Sequence, residues 1–115
     1  MAVVSSTTTP GEAFTYTWTP LTTTDTTGAP VTAIGAGDRT VQFTGTFGST
    51  TATLEGSLDG TNYATLTDPF GNAISFTATG LKAVVENCSY IRPKVTGGSA
   101  VSVTCKLLVR ASSKR

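Results

Sequence analysis

Alternation with a period of two constrains this chain more than any other feature. Phe14, Tyr16 and Trp18 are separated by Thr15 and Thr17, and Val101, Val103, Cys105, Leu107 and Val109 by Ser102, Thr104, Lys106 and Leu108. Successive side chains of a strand point to opposite faces, so each run presents one apolar face and one largely polar face. Val41, Phe43, Gly45 and Phe47 repeat the pattern, as do Ala52, Leu54, Gly56 and Leu58 against Thr51, Thr53, Glu55 and Ser57. Shorter strands are predicted around 63–66, 74–76, 81–85 and 90–95. No stretch holds a sustained 3.6-residue period; the one helix candidate is a short turn near 81–86.

Turn chemistry separates the runs. Asp59-Gly60 predicts a hairpin over 58–63, and Asp68-Pro69-Phe70-Gly71-Asn72 offers proline to preset φ and glycine for a left-handed position. Gly97-Gly98 is read as closing a last hairpin between the strands on either side. About eight short strands at spacings near ten residues predict an all-β fold, a two-sheet antiparallel sandwich of jelly-roll or Greek-key type. Its 115 residues support one domain with one modest core. We divide the chain into an extended N-terminal arm over 1–13, a sandwich over 14–110 carrying a Thr/Gly-rich loop or arm at 20–38, and a basic tail at 111–115.

Composition narrows the function. Charged residues make up 13% of the chain and the net charge is +1, which leaves no basic patch for neutralising phosphates, so no direct nucleic-acid contact is expected. No apolar run approaches the ~20 residues of a membrane span, and Met1-Ala-Val-Val-Ser-Ser does not read as a signal peptide. Histidine is absent. That removes the commonest general base and metal ligand, and with them Ser-His and Cys-His nucleophiles.

The carboxylates Glu12, Asp25, Asp38, Glu55, Asp59, Asp68 and Glu86 are scattered. Asp59 and Asp68 are accounted for by turns, and each turn supplies one carboxylate where a calcium site wants several. We therefore expect no catalytic residue, no metal site and no cofactor: the chain is not read as an enzyme. Cys105 is expected to face the core and Cys88 the opposite face of a neighbouring strand, which leaves both as free thiols. The Phe14, Tyr16 and Trp18 face reads as core first, with a sugar-stacking platform or a subunit contact as alternatives.

The segment from Leu54 through Ala73 (Leu-Glu-Gly-Ser-Leu-Asp-Gly-Thr-Asn-Tyr-Ala-Thr-Leu-Thr-Asp-Pro-Phe-Gly-Asn-Ala), then Phe76-Thr-Ala, then Tyr90-Ile-Arg-Pro-Lys-Val-Thr-Gly-Gly, resembles a family of small tailed-bacteriophage virion proteins. These are the capsid decoration, or cement, proteins. The resemblance covers roughly residues 40–110. Tyr63 stands where that family usually has Trp, and Ser89 through Arg92 replaces a more charged lead-in. The resemblance implies a jelly-roll module on the outside of the head, made in the host cytoplasm, clamping neighbouring subunits of the major capsid protein and forming a dimer or trimer. Other readings are a carbohydrate-binding or host-attachment module, in which Tyr63 also becomes a stacking candidate, and a tail or head–tail joining protein. Candidate partner contacts are Thr7, Thr8 and Thr9 of the arm, Phe14, Tyr16 and Trp18, Thr23 and Thr24 of the Thr-rich loop, and Arg115 of the tail.

Overall fold

The computed structural model describes residues 4–9, 13–32, 38–84 and 88–110, with side chains described over 15–32, 39–84 and 88–110. Ten strands follow one another: β1 (Val4–Thr9), β2 (Ala13–Thr22), β3 (Val31–Thr32), β4 (Asp38–Thr46), β5 (Thr51–Ser57), β6 (Ala64–Thr65), β7 (Ser75–Phe76), β8 (Gly80–Ala83), β9 (Tyr90–Thr96) and β10 (Ser102–Arg110). There is no helix among the described residues, and the turn considered near 81–86 is strand β8 over the part described.

One sheet has the order β1-β2-β10-β4-β8; the other has β3-β9-β5-β6, with β7 also on β5. Pairing is antiparallel throughout and nested: β2 with β10, β3 with β9, β4 with β8, and β5 with both β6 and β7. A long hairpin folded over itself into two sheets produces this order, which is the jelly roll. The apolar faces meet between the sheets. Trp18, Phe43, Leu54, Ile74, Ile91 and Leu107 are fully buried, and β10 alternates buried and exposed positions along its length. Phe43 of one sheet meets Phe76 of the other at 5.1 Å between ring centroids. Burying each such side chain contributes about 1.5–3 kcal/mol.

Three expectations change. Gly97-Gly98 does not close a hairpin, because β9 pairs with β5 and β3 whereas β10 pairs with β2 and β4. The connection crosses between sheets, and Ser99 N–H donates to Gly48 O at 2.9 Å to pin it against another corner. Both glycines have positive φ, 77° and 81°, a demand that a hairpin turn and a sheet crossing share.

Residues 20–32 are not a free loop. β2 runs to Thr22, Gly28 N–H donates to Pro93 O at 2.9 Å, Val95 N–H donates to Thr26 O at 2.8 Å, and Leu21, Gly28 and Val31 are buried. This segment carries the chain from the first sheet to the edge of the second. It also accommodates Pro93, whose missing N–H a regular inner ladder would not tolerate. Residues 4–9 of the expected arm form β1, paired with β2 along its whole length. Residues 1–3, 10–12, 33–37 and the tail at 111–115 lie outside the described residues.

β2 carries a bulge where Thr19 and Pro20 stand between the pairs Trp18↔Cys105 and Leu21↔Val103. A proline without a donor is tolerated at such a break.

Candidate partner interface

The loops that carry carboxylates are occupied with their own architecture. Asp59 accepts hydrogen bonds from the Asn62 and Thr61 backbone N–H groups, from the Asn62 side-chain amide and from the Ser57 hydroxyl, each at 2.8 Å. These donors, led by the Asn62 and Thr61 N–H groups, hold its carboxyl well below the usual carboxylate range. Asp68 accepts from Asn72 N–H at 3.0 Å and Phe70 N–H at 2.9 Å. The Asn72 bond is the main cause of its lowered pKa; Lys82 Nζ, 3.5 Å away, adds to it. Both carboxylates therefore close turns, as their sequence context predicts. Among the described residues, no three His, Cys, Asp or Glu side chains converge.

Lys82 fastens one side of the sandwich. It belongs to β8 in the first sheet, yet its ammonium reaches Asp68 and donates to Ala73 O at 3.4 Å on the second. It also lies 5.6 Å from the Phe76 ring centroid.

The sequence-predicted contacts scatter. Trp18 has no exposed surface and donates its indole N–H to Ala29 O at 2.7 Å, so it belongs to the core and not to a partner contact. Tyr16 is half-buried against that core, 6.5 Å from the Trp18 ring. Phe14 stands in register with Val109. Thr23 and Thr24 are exposed at the bend after β2. Thr7, Thr8 and Thr9 belong to β1, and Arg115 lies outside the described residues.

Neither cysteine is in a disulfide. Cys105 faces the core, and burial pushes its thiol up. Cys88 differs from expectation: it precedes β9, is half-buried and packs against the core beside Gly56, because regular pairing stops at Tyr90. It borders a depression of about 420 Å³ that Leu58, Asp59 and Asn62 also line.

The outward faces of the two sheets differ chemically. On the second sheet Arg92 pairs with Glu55 at 3.1 Å and lies 3.7 Å from the Tyr63 ring centroid. This face is charged, and its charges are partnered in part within the face. On the first sheet the registers build two central rows, Thr7–Thr15–Leu108–Thr40–Ala83 and Ser5–Thr17–Lys106–Gln42–Leu81. Lys106 is the one charged residue in them, and the next row along the same face sets Arg110 in register with Asp38. Between β2, β10, β4 and β8 lies a shallow depression of about 350 Å³, lined by Thr15, Thr40, Gln42, Leu81, Lys106 and Leu108.

Comparisons with protein-family models, with curated proteins and with solved structures find no match to this chain. The surface must therefore speak through its chemistry. A broad sheet face of hydroxyls with Leu81 exposed and Leu108 half-exposed is suited to a protein surface: the hydroxyls tolerate burial when hydrogen-bonded, and the leucines gain from it. Sequence reasoning put Leu108 on the polar side of its strand. A leucine among threonines there was the available signal. Leu81 could not be found that way, since only the β4–β8 register sets it beside Gln42.

Proposed function

We propose that the protein is a structural virion component that binds the outside of a bacteriophage head and cements neighbouring major capsid subunits. The observation that carries this reading is the centre of the outward face of the first sheet, where Leu81 and Leu108 are set among threonines, Gln42 and the single charge of Lys106 across four adjoining strands. The resemblance of the hairpin series from Leu54 to Gly98 to capsid decoration proteins supplies the particular partner.

The physical requirements of cementing suit such a module. A repeated shell multiplies a modest contact by presenting many copies at once, so each interface need not be strong. A jelly roll is rigid enough to hold two neighbours at a fixed separation. Exposed Phe70, at the tip of the 68–72 turn, and exposed Leu58 supply further apolar points away from the sheet face. The sugar-platform alternative is weakened by the burial of Trp18, which leaves no three-aromatic strip on the surface.

The test is to add the purified protein to heads assembled without it and to image the particles. Density on the outer surface between major capsid subunits, at a copy number tied to that of the major capsid protein, is the expected result. Density confined to a tail or a head–tail joint, or no particle binding, overturns the proposal.

A further inference from the structure

We propose that the open edge of β1 pairs antiparallel with β1 of a second copy of this chain, joining two five-stranded sheets into one continuous sheet. β1 ends its sheet, with β2 on one side and no described strand on the other. It is six residues long, Val-Ser-Ser-Thr-Thr-Thr, with neither proline nor charge. Exposed sheet edges are ordinarily blunted by shortness, lysine, proline or a bulge. The other edges of this sandwich follow that rule: β3, β6 and β7 have two residues each, and β8 has four and includes Lys82. Among the described residues, β1 alone of these edges is long and carries neither proline nor charge.

A second copy fits this edge for two reasons. A strand without charge meets itself without like-charge repulsion, which a lysine-bearing edge would not. Antiparallel self-pairing is also two-fold and closes on itself, so it makes a dimer instead of a filament.

Face parity then limits the register. Positions 5, 7 and 9 share the face of Thr15 and Thr17, and positions 4, 6 and 8 share that of Trp18 and Tyr16. Residues directly opposite in an antiparallel pair lie on the same face, so the two-fold must pass through a residue. Centred on Ser6, Val4 meets Thr8 and Ser5 meets Thr7; centred on Thr7, Ser5 meets Thr9 and Ser6 meets Thr8. A centre between Ser6 and Thr7 sets Val4 against Thr9 and joins an inner face to an outer one. Either allowed register extends the hydroxyl-rich outer face across both copies. The inference stands apart from the capsid reading, since it concerns the isolated protein.

Sedimentation of the purified full chain, over a range of concentrations and without capsids, tests it. Three samples are compared with wild type: Ser5→Lys/Thr7→Lys, Ser5→Glu/Thr7→Glu and their equimolar mixture, with the unfolding midpoint of each variant measured alongside. Both allowed registers bring the substituted positions together. We expect twice the 11.8 kDa chain mass for wild type, the single-chain mass for each variant with a cooperative midpoint that no longer rises with protein concentration, and recovery of the doubled mass in the mixture. A wild-type monomer at every concentration, a larger assembly, or a dimer indifferent to both substitutions overturns the proposal. So does a mixture that stays monomeric, which also covers the case of variants that fold poorly.

Discussion

Gly28→Ala isolates the joint between the two sheets. A methyl group added at Gly28 falls 2.5 Å from Trp18 Cδ1 and 2.7 Å from Pro93 Cδ. Ordinary carbon contacts sit at about 3.5–4.0 Å, so roughly 1 Å of movement is needed. Neither ring yields easily. Trp18 is fully enclosed and tied by its indole N–H to Ala29 O, while Pro93 is fixed within β9 and accepts the Gly28 N–H. Overpacking of this kind costs about 1–3 kcal/mol. Should the indole swing away, its N–H is left buried without an acceptor, at a further cost of about 1–3 kcal/mol. Against this, alanine restricts the unfolded chain and returns about 0.4–1 kcal/mol.

The net loss is about 0–3 kcal/mol if the indole keeps its bond and about 1–6 kcal/mol if it swings away, the latter a large share of the ~5–15 kcal/mol that holds a small domain together and worth up to roughly 20 °C in melting temperature. Equilibrium urea unfolding followed by fluorescence measures it, because Trp18 is the sole tryptophan and lies at the site. Gly71→Ala is the control: its φ is +84° with nothing within 4 Å, so only backbone strain of about 1–2 kcal/mol applies. A Gly28→Ala midpoint indistinguishable from wild type, at unchanged m, would refute the reasoning.

Three other outcomes are expected. Asp59 and Asp68 have folded pKa values below their ordinary value of 3.8; their stabilisation is therefore complete above the unfolded pKa and lost as pH falls through the folded ones. Melting temperature should decline below about pH 4, and an Asp59→Asn/Asp68→Asn variant, less stable at pH 7, should decline less. Ellman's reagent should label Cys88 in the native protein and reach Cys105 only on unfolding, since Cys105 is buried and its thiol pKa is raised; equal rates would contradict that placement. Leu81→Asp and Leu108→Asp should leave the unfolding midpoint nearly unchanged yet weaken binding to heads about 10–100-fold each, the equivalent of losing one buried leucine. Undiminished head binding would move the contact off the outer face of the first sheet.

Much of the architecture was legible because strand alternation is local. Val103, Cys105 and Leu107 declare their buried face through their own neighbours, and Asp59 and Asp68 declare turns because each carboxylate bonds N–H groups within four residues. What misled was the segment whose partners are remote. Gly97-Gly98 needs positive φ in a hairpin and in a crossing alike, and only the pairing of β9 with β5 distinguishes them. Residues 20–32 look loop-like because threonine and glycine dominate there, yet Gly28 is small so that Trp18 and Pro93 can close on it.

The sequence by itself determined the class of fold, the inward face of each long strand, the two carboxylate turns, and the lack of a histidine on which most nucleophilic chemistry depends. All of these follow from residues close together in the chain or from residue types that are simply missing. Tertiary structure decided which strands are neighbours, and so decided the candidate surface. Leu108, Gln42, Leu81 and Thr15 come from four separate strands and share one depression only because β2, β10, β4 and β8 lie side by side. The same pairing left β1 at the end of its sheet, with no described strand on one side. Neither the patch nor the edge exists until strands distant in sequence have paired, because each is defined by hydrogen bonds between segments that the local pattern cannot connect.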